Sequence, residues 1–373
     1  MLKYITPRIR FQGFKSWWKS IKLTDLGIFV GGTAIESEFN PEGKYKVISI
    51  GSYSEESKYK DQGIRAIYSK KTEKRILEKD DLTMILNDKT STGKIIGRVL
   101  LIDEDNSYVY NQRTQRICLN KNKYVPDFIF QLLNADINRN KIVRSAQGNT
   151  QIYVNWSDIS NLDYLIPESL EEQQAIGSLF RTLDDLMASY KDNLANYQSL
   201  KATMLSKMFP EAGQTVPEIR LNGFDAEWEK TTLEKSTDRV KSYSLSRDVE
   251  TNQDTGLKYI HYGDIHLGKV SMIDDGNSIP YIKTDTKLSE FLQQGDLIFA
   301  DASEDYKGIA EVAVVVDALS EKIVAGLHTI AVRPQSIFDS IFLYYMFKTQ
   351  TFRKYGYKVG TGMKVFGISP SNL

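Results

Sequence analysis

The sequence predicts an α/β (α+β) protein with two similar domains separated by a long coiled-coil-type helix. Three observations lead to this expectation: an opening motif that occurs twice, a series of apolar strands after each copy of it, and an uninterrupted helical segment between the copies. The 373 residues leave room for two or three domains. We expect domains at 1–165 and 212–373, with a helical spacer at 166–211.

The repeat begins with the opening motif. "PRIRFQGF" starts at Pro7 and "PEIRLNGF" at Pro217, 210 residues later. Each opening is followed by "YKVISIGSY" or "LKYIHYGDI" and then by "DLTMIL" or "DLIFAD". Short runs rich in β-branched and aromatic residues, with turn residues at their ends, are typical of buried strands. A repeat of this extent indicates two copies of a whole domain.

Each copy continues with a predicted helix and a segment that contains no acidic residue. The helices are expected at 127–140 and 340–354, where apolar residues recur at helical spacing. Basic side chains can neutralise phosphates, and Gln, Asn, Thr and Arg can hydrogen-bond to base edges. The candidate nucleic-acid contacts in these segments are Arg139, Lys141, Arg144, Gln147, Asn149 and Gln151 in the first copy, and Arg353, Lys354, Lys358, Thr361 and Lys364 in the second. A solvated loop is the alternative for each segment, and the recurrence at matching positions places the binding interpretation on an equal footing with it.

A polar loop at 87–98 is a second candidate surface. It connects two apolar strands and carries Lys89, Thr90, Ser91, Thr92 and Lys94. Its counterpart at 301–311 is acidic, although it includes Lys307. Loops that diverge on a shared scaffold are expected where two copies bind different targets.

The segment between the copies predicts one long helix. Ser169 and Glu172 have the spacing of a capping box, and Pro210 ends the helix. Apolar residues recur with the alternation of three and four that is typical of a coiled-coil seam, at Phe180, Leu183, Met187, Tyr190, Leu194 and Tyr197. We therefore expect a helix from about 168 to 209 whose apolar stripe requires a partner helix.

Composition limits the function classes. Lys+Arg and Asp+Glu both number 48, so a protein that coats nucleic acid indiscriminately is disfavoured, although local basic patches are allowed. One cysteine and three histidines are too few for a zinc site. The sequence has no apolar run of the roughly 20 residues that a membrane span needs, and its start lacks the apolar core of a signal peptide. We expect a cytoplasmic protein without membrane contact, and the residues assign no catalytic reaction to it.

These motifs together resemble the specificity subunit of Type I restriction-modification enzymes. The resemblance is carried by the paired openings, by "IPESLEEQQAIGSLFRTLD" at the helix start and by "LSKMFP" at its end, and it covers essentially the whole chain. It implies two target-recognition domains, each binding one half of a bipartite sequence in double-stranded DNA. It also implies modification (methyltransferase) subunits that bind S-adenosylmethionine and methylate adenine, and restriction (translocase/nuclease) subunits that use ATP and Mg. No cofactor is expected on this chain itself.

The sequence departs from the family pattern after its second domain. A typical member continues there with a second long helix that packs antiparallel on the central one, whereas this sequence ends with "ISPSNL". The apolar stripe is therefore expected to pair with a second copy of this chain or with a helix of a modification subunit. One alternative is a truncated interaction protein that binds modification subunits without productive DNA reading. A second alternative is a nuclease that uses Asp301, Glu304 and Asp305.

Overall fold

The computed structural model describes residues 7–274, 278–305, 308–362 and 365–373. The chain divides into two compact units, Met1–Lys191 and Asp192–Leu373. Both units combine helices with several sheets, and the long helix Leu170–Lys207 runs from the first into the second. The predicted fold class is thereby confirmed. Within the ranges described, no helix is long and apolar enough to cross a membrane.

Unit 1 is built mainly from short strands. Its strands are β1 Lys19–Lys22, β2 Gly27–Gly31, β3 Tyr45–Ile48, β4 Arg65–Ala66, β5 Leu82–Ile85, β6 Asn87–Asp88, β7 Val99–Leu101, β8 Tyr108–Tyr110, β9 Thr114–Leu119, β10 Ile152–Tyr153 and β11 Asp163–Ile166. Its α-helices are α1 Lys70–Glu73, α2 Pro126–Asn134, α3 Asp136–Arg144, α4 Trp156–Ile159 and the start of α5 Leu170–Lys207. Short 3₁₀ helices lie at Leu23–Leu26, Glu36–Glu38 and Ile50–Ser52.

The main sheet of unit 1 has the order β2-β9-β5-β7 and is antiparallel. A second sheet has the order β4-β3-β8, in which β3 and β8 are parallel. Two further pairs, β1 with β11 and β6 with β10, are antiparallel. All four residues of β5 are buried, Thr83 included, because the strand is covered on both faces.

Unit 2 repeats this plan. Its strands are β12 Thr237–Val240, β13 Glu250–Thr251, β14 Leu257–Ile260, β15 Met272–Ile273, β16 Tyr281–Ile282, β17 Leu297–Ala300, β18 Ala302–Ser303, β19 Val312–Val315, β20 Lys322–Ala325, β21 Thr329–Pro334 and β22 Phe366–Gly367. Its further α-helices are α6 Leu233–Ser236, α7 Tyr262–His266, α8 Ser340–Phe347 and α9 Gln350–Val359, and a 3₁₀ helix lies at Arg247–Val249.

The two units share sheet topology. The order β12-β21-β17-β19-β15 in unit 2 extends the four-strand order of unit 1 by one strand. The parallel pair of β14 with β20 corresponds to that of β3 with β8. The short antiparallel pair of β18 with β22 likewise corresponds to β6 with β10. The sequence repeat is therefore a repeat of the fold.

The structure corrects the expected helices at 127–140 and 340–354, because each is two helices. The extended backbone of Ala135, with φ −57° and ψ 131°, separates α2 from α3. The Asn138 amide donates to the carbonyl of Leu132 at 2.8 Å and so satisfies an end of α2. In unit 2, the Thr349 hydroxyl accepts from the Phe352 backbone N–H at 3.4 Å at the start of α9. The first basic residues of both candidate segments consequently lie on helices rather than in loops.

Candidate nucleic-acid interface

In unit 1 the two candidate segments meet at one edge. The antiparallel pairing places Asp88 of β6 opposite Ile152 of β10. The backbone of Gln147 exchanges two 2.9 Å hydrogen bonds with that of Tyr153. The loop after β6 and the turn before β10 therefore lie side by side. The predicted residues exposed there, which we call the unit 1 edge, are Lys89, Thr90, Ser91, Thr92, Lys94, Arg144, Gln147, Asn149 and Gln151.

Asp88 holds the polar loop of this edge in one conformation. Its buried carboxylate accepts from the Thr90 backbone N–H at 2.9 Å and from the Ile95 backbone N–H at 3.0 Å. The hydroxyl oxygens of Thr90 and Thr92 lie 2.7 Å apart. Lys94 forms an exposed ion pair with Glu55 at 3.0 Å. Hydrogen bonds from a buried carboxylate preorganise the loop, so its exposed side chains start from a defined backbone.

Two further predicted contacts, Arg139 and Lys141, have partners within the fold. Arg139 Nη1 donates to the carbonyl of Gly93 at 2.7 Å, so the guanidinium ties α3 to the polar loop. Lys141 Nζ donates to the carbonyl of Asp163 at 2.6 Å and lies 4.8 Å from the ring centre of Tyr164. Burial lowers the pKa of Lys141. Both cations are partly buried, whereas Arg144 is exposed.

Arg113 and Tyr153 belong to this surface, although the sequence did not single them out. The Arg113 guanidinium lies 6.0 Å from the ring centre of Tyr153, whose side chain is 38% exposed. Arg113 is exposed and has φ 64°, a left-handed conformation that is uncommon outside glycine. An arginine over an aromatic ring presents both charge and a flat face. The two residues are 40 positions apart, so only the fold brings them together.

Unit 2 has the same edge between β18 and β22. Thr361 and Gly367 exchange two backbone hydrogen bonds of 2.9 and 2.8 Å, as Gln147 and Tyr153 do in unit 1. Thr361 is exposed, as are Lys354 and Lys358 on α9. The predicted residues Lys307 and Lys364 lie outside the described residues.

Arg353 is placed in the interior of unit 2. Only 5% of it is exposed, its Nη2 lies 3.3 Å from Glu311 Oε2, and its guanidinium lies 5.5 Å from the ring centre of Tyr357. Arg353 stands 214 residues after Arg139, and each of the two arginines anchors its helix to the neighbouring loop. Their recurrence in the sequence therefore reflects the fold.

The chemistry of the unit 2 edge differs from that of unit 1. His328 Nδ1 lies 3.1 Å from Asp301 Oδ1, and His266 Nδ1 lies 3.0 Å from the Ser303 hydroxyl. Burial raises the pKa of Asp301. His328 precedes β21 as Arg113 precedes β9, and it too is left-handed, with φ 55°. Equivalent backbone positions therefore carry an imidazole in one unit and a guanidinium in the other.

Two of the three acidic residues that suggested a nuclease, Asp301 and Asp305, have contacts within unit 2. Asp301 contacts His328, and Asp305 accepts from the Gly308 backbone N–H at 2.8 Å. In the part of the chain that the structure covers, no three His, Cys, Asp or Glu side chains are grouped so that they could hold a metal ion.

The apolar stripe of α5 is exposed. Its six members, Phe180, Leu183, Met187, Tyr190, Leu194 and Tyr197, have exposed fractions between 43% and 70%. Side chains of this size on one helix face are typical of a surface that packs against another helix.

The fold contains two copies of one domain, and each copy carries an exposed polar edge of its own chemistry. Residues 15–196 match the family described as the Type I restriction modification DNA specificity domain. The resemblance of the sequence to Type I specificity subunits is confirmed by this match. The match supports a role in DNA sequence recognition. No curated protein matches the sequence.

Three solved structures match this chain over most of its length. The S subunit of a Type I restriction-modification system from M. genitalium is 16% identical with a TM-score of 0.56, over 94% of this chain and 80% of that one. A structure concerned with complex assembly and conformational transition of the type I R-M system is 16% identical with a TM-score of 0.49, over 98% and 85%. The HsdS subunit from Thermoanaerobacter tengcongensis is 16% identical with a TM-score of 0.41, over 95% and 85%.

Proposed function

We propose that this chain is the non-catalytic specificity subunit of a Type I restriction-modification complex, in which each unit reads one half of a bipartite DNA site. The observation that carries the proposal is the unit 1 edge, where two segments about 60 residues apart form one exposed polar surface inside a matched DNA specificity domain. The specificity-domain match favours this function over a truncated interaction protein.

The side chains of the unit 1 edge suggest a division of roles. Lys89 and Arg144 are exposed cations, suited to phosphate contacts that position the protein without reading sequence. Gln147, Asn149 and Gln151 carry amides, which can donate to and accept from base edges at the same time. Recognition by this unit would then depend on the short turn that these three amides share.

Unit 2 would read a different half-site. Its edge presents Thr361 together with the Asp301–His328 pair, where unit 1 presents lysine, threonine and arginine. A hydrogen-bonding surface rejects a base whose donors and acceptors do not match its own. The target of the whole chain is therefore expected to be asymmetric.

The proposal includes partners that supply the chemistry. Modification subunits would bind S-adenosylmethionine and methylate adenine, and restriction subunits would use ATP and Mg to translocate and cleave cytoplasmic DNA. The stripe of α5 would pack against a helix of another chain in the complex, either a modification subunit or a second copy of this chain. This chain would position these partners on the site without binding a cofactor.

The test is a map of adenine methylation in cells that express this chain with its cognate modification subunit and no other system. Long-read sequencing should show one split, asymmetric motif. A symmetric motif would instead indicate one unit acting twice through a dimer. Absence of new methylation, with co-purification of the two subunits shown separately, would contradict the proposal and favour the interaction protein.

A further inference from the structure

His328 and Asp301 form a pair whose geometry fixes the position of the imidazole proton. His328 Nδ1 lies 3.1 Å from Asp301 Oδ1. An ionised carboxylate only accepts hydrogen bonds, so Nδ1 carries the proton that Asp301 binds. Because a neutral imidazole has one N–H group, this contact leaves Nε2 as a hydrogen-bond acceptor. Asp301 therefore selects one tautomer of His328.

The Nε2 atom of His328 is available to an external ligand. The side chain is 52% exposed, and within the described ranges no hydrogen bond reaches Nε2. Tyr262 packs edge-on against the imidazole, with ring centres 5.5 Å apart. The backbone is held by hydrogen bonds from the Asp301 N–H to the His328 carbonyl at 3.0 Å and from the Tyr262 N–H to the Leu327 carbonyl at 3.2 Å. The imidazole is thus both exposed and preorganised.

Both members of this pair are replaced in unit 1. Arg113 and Leu86 each stand 215 residues before His328 and Asp301. The backbone hydrogen bond is kept, because the Leu86 N–H donates to the Arg113 carbonyl at 2.9 Å. A guanidinium is always charged and needs no carboxylate to set its proton positions. The carboxylate therefore occurs in the unit whose edge residue has a tautomer to be selected, which indicates that Asp301 serves His328.

We propose that His328 reads one base pair of the unit 2 half-site through Nε2, and that protonation of the imidazole reverses which bases this contact accepts. In the neutral form Nε2 accepts a hydrogen bond, which suits the amino group of adenine or cytosine. In the protonated form Nε2 donates, which suits guanine O6 or N7 and thymine O4. The inference rests on the proposed function, since it requires that the unit 2 edge contacts DNA.

The nearest second imidazole is not expected to respond in the same way. His261 packs against Tyr262 with ring centres 4.4 Å apart, and its Nδ1 accepts from the Gly263 backbone N–H at 3.1 Å. Burial lowers the pKa of His261, and the Arg247 guanidinium acts in the same direction. Its neutral form is therefore favoured, and it serves as a cap within the fold.

Other titratable or charged groups around the pair have partners of their own. Arg247 Nη2 donates to Asp264 Oδ1 at 2.9 Å. The Tyr243 hydroxyl, from a segment bonded to the same turn, accepts from the backbone N–H groups of residues 289–290, both at 2.9 Å. Residues 366–372, which bond to the backbone of the aspartate, contain no charged side chain. Imidazoles change charge between about pH 5 and 8, so we expect the response to come from the imidazole of the edge.

The test measures how base discrimination depends on pH. Fluorescence anisotropy follows binding of the complete modification complex to labelled duplexes that carry each of the four base pairs at each position of the two half-sites in the methylation map. At one position of the unit 2 half-site, lowering the pH from about 8 to about 5 should shift the affinity ratio about tenfold towards guanine or thymine. Unit 1 contains no histidine, so discrimination in its half-site should stay constant and provides the internal reference.

Four variants identify the group that responds. His328→Gln keeps a donor and an acceptor but does not titrate, so the pH dependence should disappear. Asp301→Asn should lower the pH at which the preference reverses, because a lost carboxylate no longer stabilises the protonated imidazole. His266→Gln should retain the pH dependence, since His266 contacts the Ser303 hydroxyl rather than a carboxylate. Asp285→Asn, at an exposed acid of unit 2, is the control for charge alone. Circular dichroism melting shows whether each variant remains folded.

Three results would overturn the inference. One is discrimination in the unit 2 half-site that is the same at every pH, and another is a pH dependence that persists in His328→Gln. The third is a pH effect on all duplexes alike, which would indicate a phosphate contact instead of base reading. In each case a split motif that is still read leaves the proposed function intact. A complex without base preference in either half-site at any pH would contradict the proposed function, and this inference with it.

Discussion

The two units present the same edge with different side chains. In unit 1 the short pair of β6 with β10 presents lysine, threonine and amide groups, and Arg113 lies beside Tyr153. In unit 2 the equivalent pair of β18 with β22 carries the Asp301–His328 contact. The backbone pattern is kept while the chemistry changes. We infer that the shared backbone determines which part of each unit contacts DNA. The side chains of the edge would then determine which DNA sequence is bound.

Residues that occur at matching positions in both units, by contrast, stabilise the fold. Arg139 and Arg353 recur and both anchor a loop. Asp81 and Asp296 also recur, and each accepts a 2.8 Å hydrogen bond from a backbone N–H three residues earlier, at Glu78 and Gln293. We infer that residues repeated in both units stabilise the fold. Residues that differ at matching positions of the two edges are the candidates for recognition of different DNA sequences.

The largest expected effect tests the structural role of a repeated residue. Asp296 is fully buried and binds Arg333 through both carboxylate oxygens at 2.8 Å. Asp296→Ala leaves the arginine without its partner, so we expect a loss of about 3 kcal/mol in the free energy of unfolding of unit 2. Urea denaturation followed by circular dichroism measures it. Asp225→Ala, at an exposed acid, is the control, and equal stability of the two variants would refute the assignment.

The second effect concerns base reading by unit 1. Arg113→Ala removes the guanidinium beside Tyr153, and we expect a loss of discrimination of about 1–3 kcal/mol at one base pair of one half-site. His328→Ala should relax the other half-site only. Binding of the complete modification complex to duplexes with single base changes measures both. If either variant changed base discrimination in both half-sites, the claim that each unit reads its own half-site would be wrong.

A third, sequence-independent effect is expected at the exposed cations of the unit 1 edge. Replacement of Lys89 and Arg144 by alanine should weaken binding to all duplexes alike. Each lost phosphate contact should lower the slope of log affinity against log salt by about 0.9. A salt titration of the complex on cognate and non-cognate DNA provides the measurement. A loss confined to the cognate duplex would show instead that these residues read bases.

The smallest effect distinguishes Lys141 from Lys89. Because Lys141 is bound to the Asp163 carbonyl, Lys141→Met should leave DNA affinity and its salt dependence unchanged while costing about 1 kcal/mol of stability through the lost hydrogen bond. The same salt titration serves as the check. A weaker dependence of affinity on salt for this variant would show that Lys141 contacts DNA, as the sequence predicted.

The sequence was sufficient for the fold but only partly so for the interface. Repeated motifs and buried strands predicted the two-copy architecture, and the helix expected at about 168–209 agrees with the observed Leu170–Lys207. The break at Ala135 was missed because an alanine gives no local signal for an extended backbone. Arg113 and Tyr153 were missed because their contact depends on strand pairing between distant segments. Arg353 was misplaced because a basic sequence does not reveal that Glu311 lies opposite it.

The most direct test of the central claim compares two methylation maps. One is made with the original chain and the other with Gln147 and Asn149 replaced by alanine, each expressed with the cognate modification subunit in cells that have no other system. The account predicts that the variant relaxes one half of the split motif and leaves the other half and the spacing unchanged. Relaxation of both halves, or an unchanged motif, would contradict the claim that the unit 1 edge reads its own half of the site.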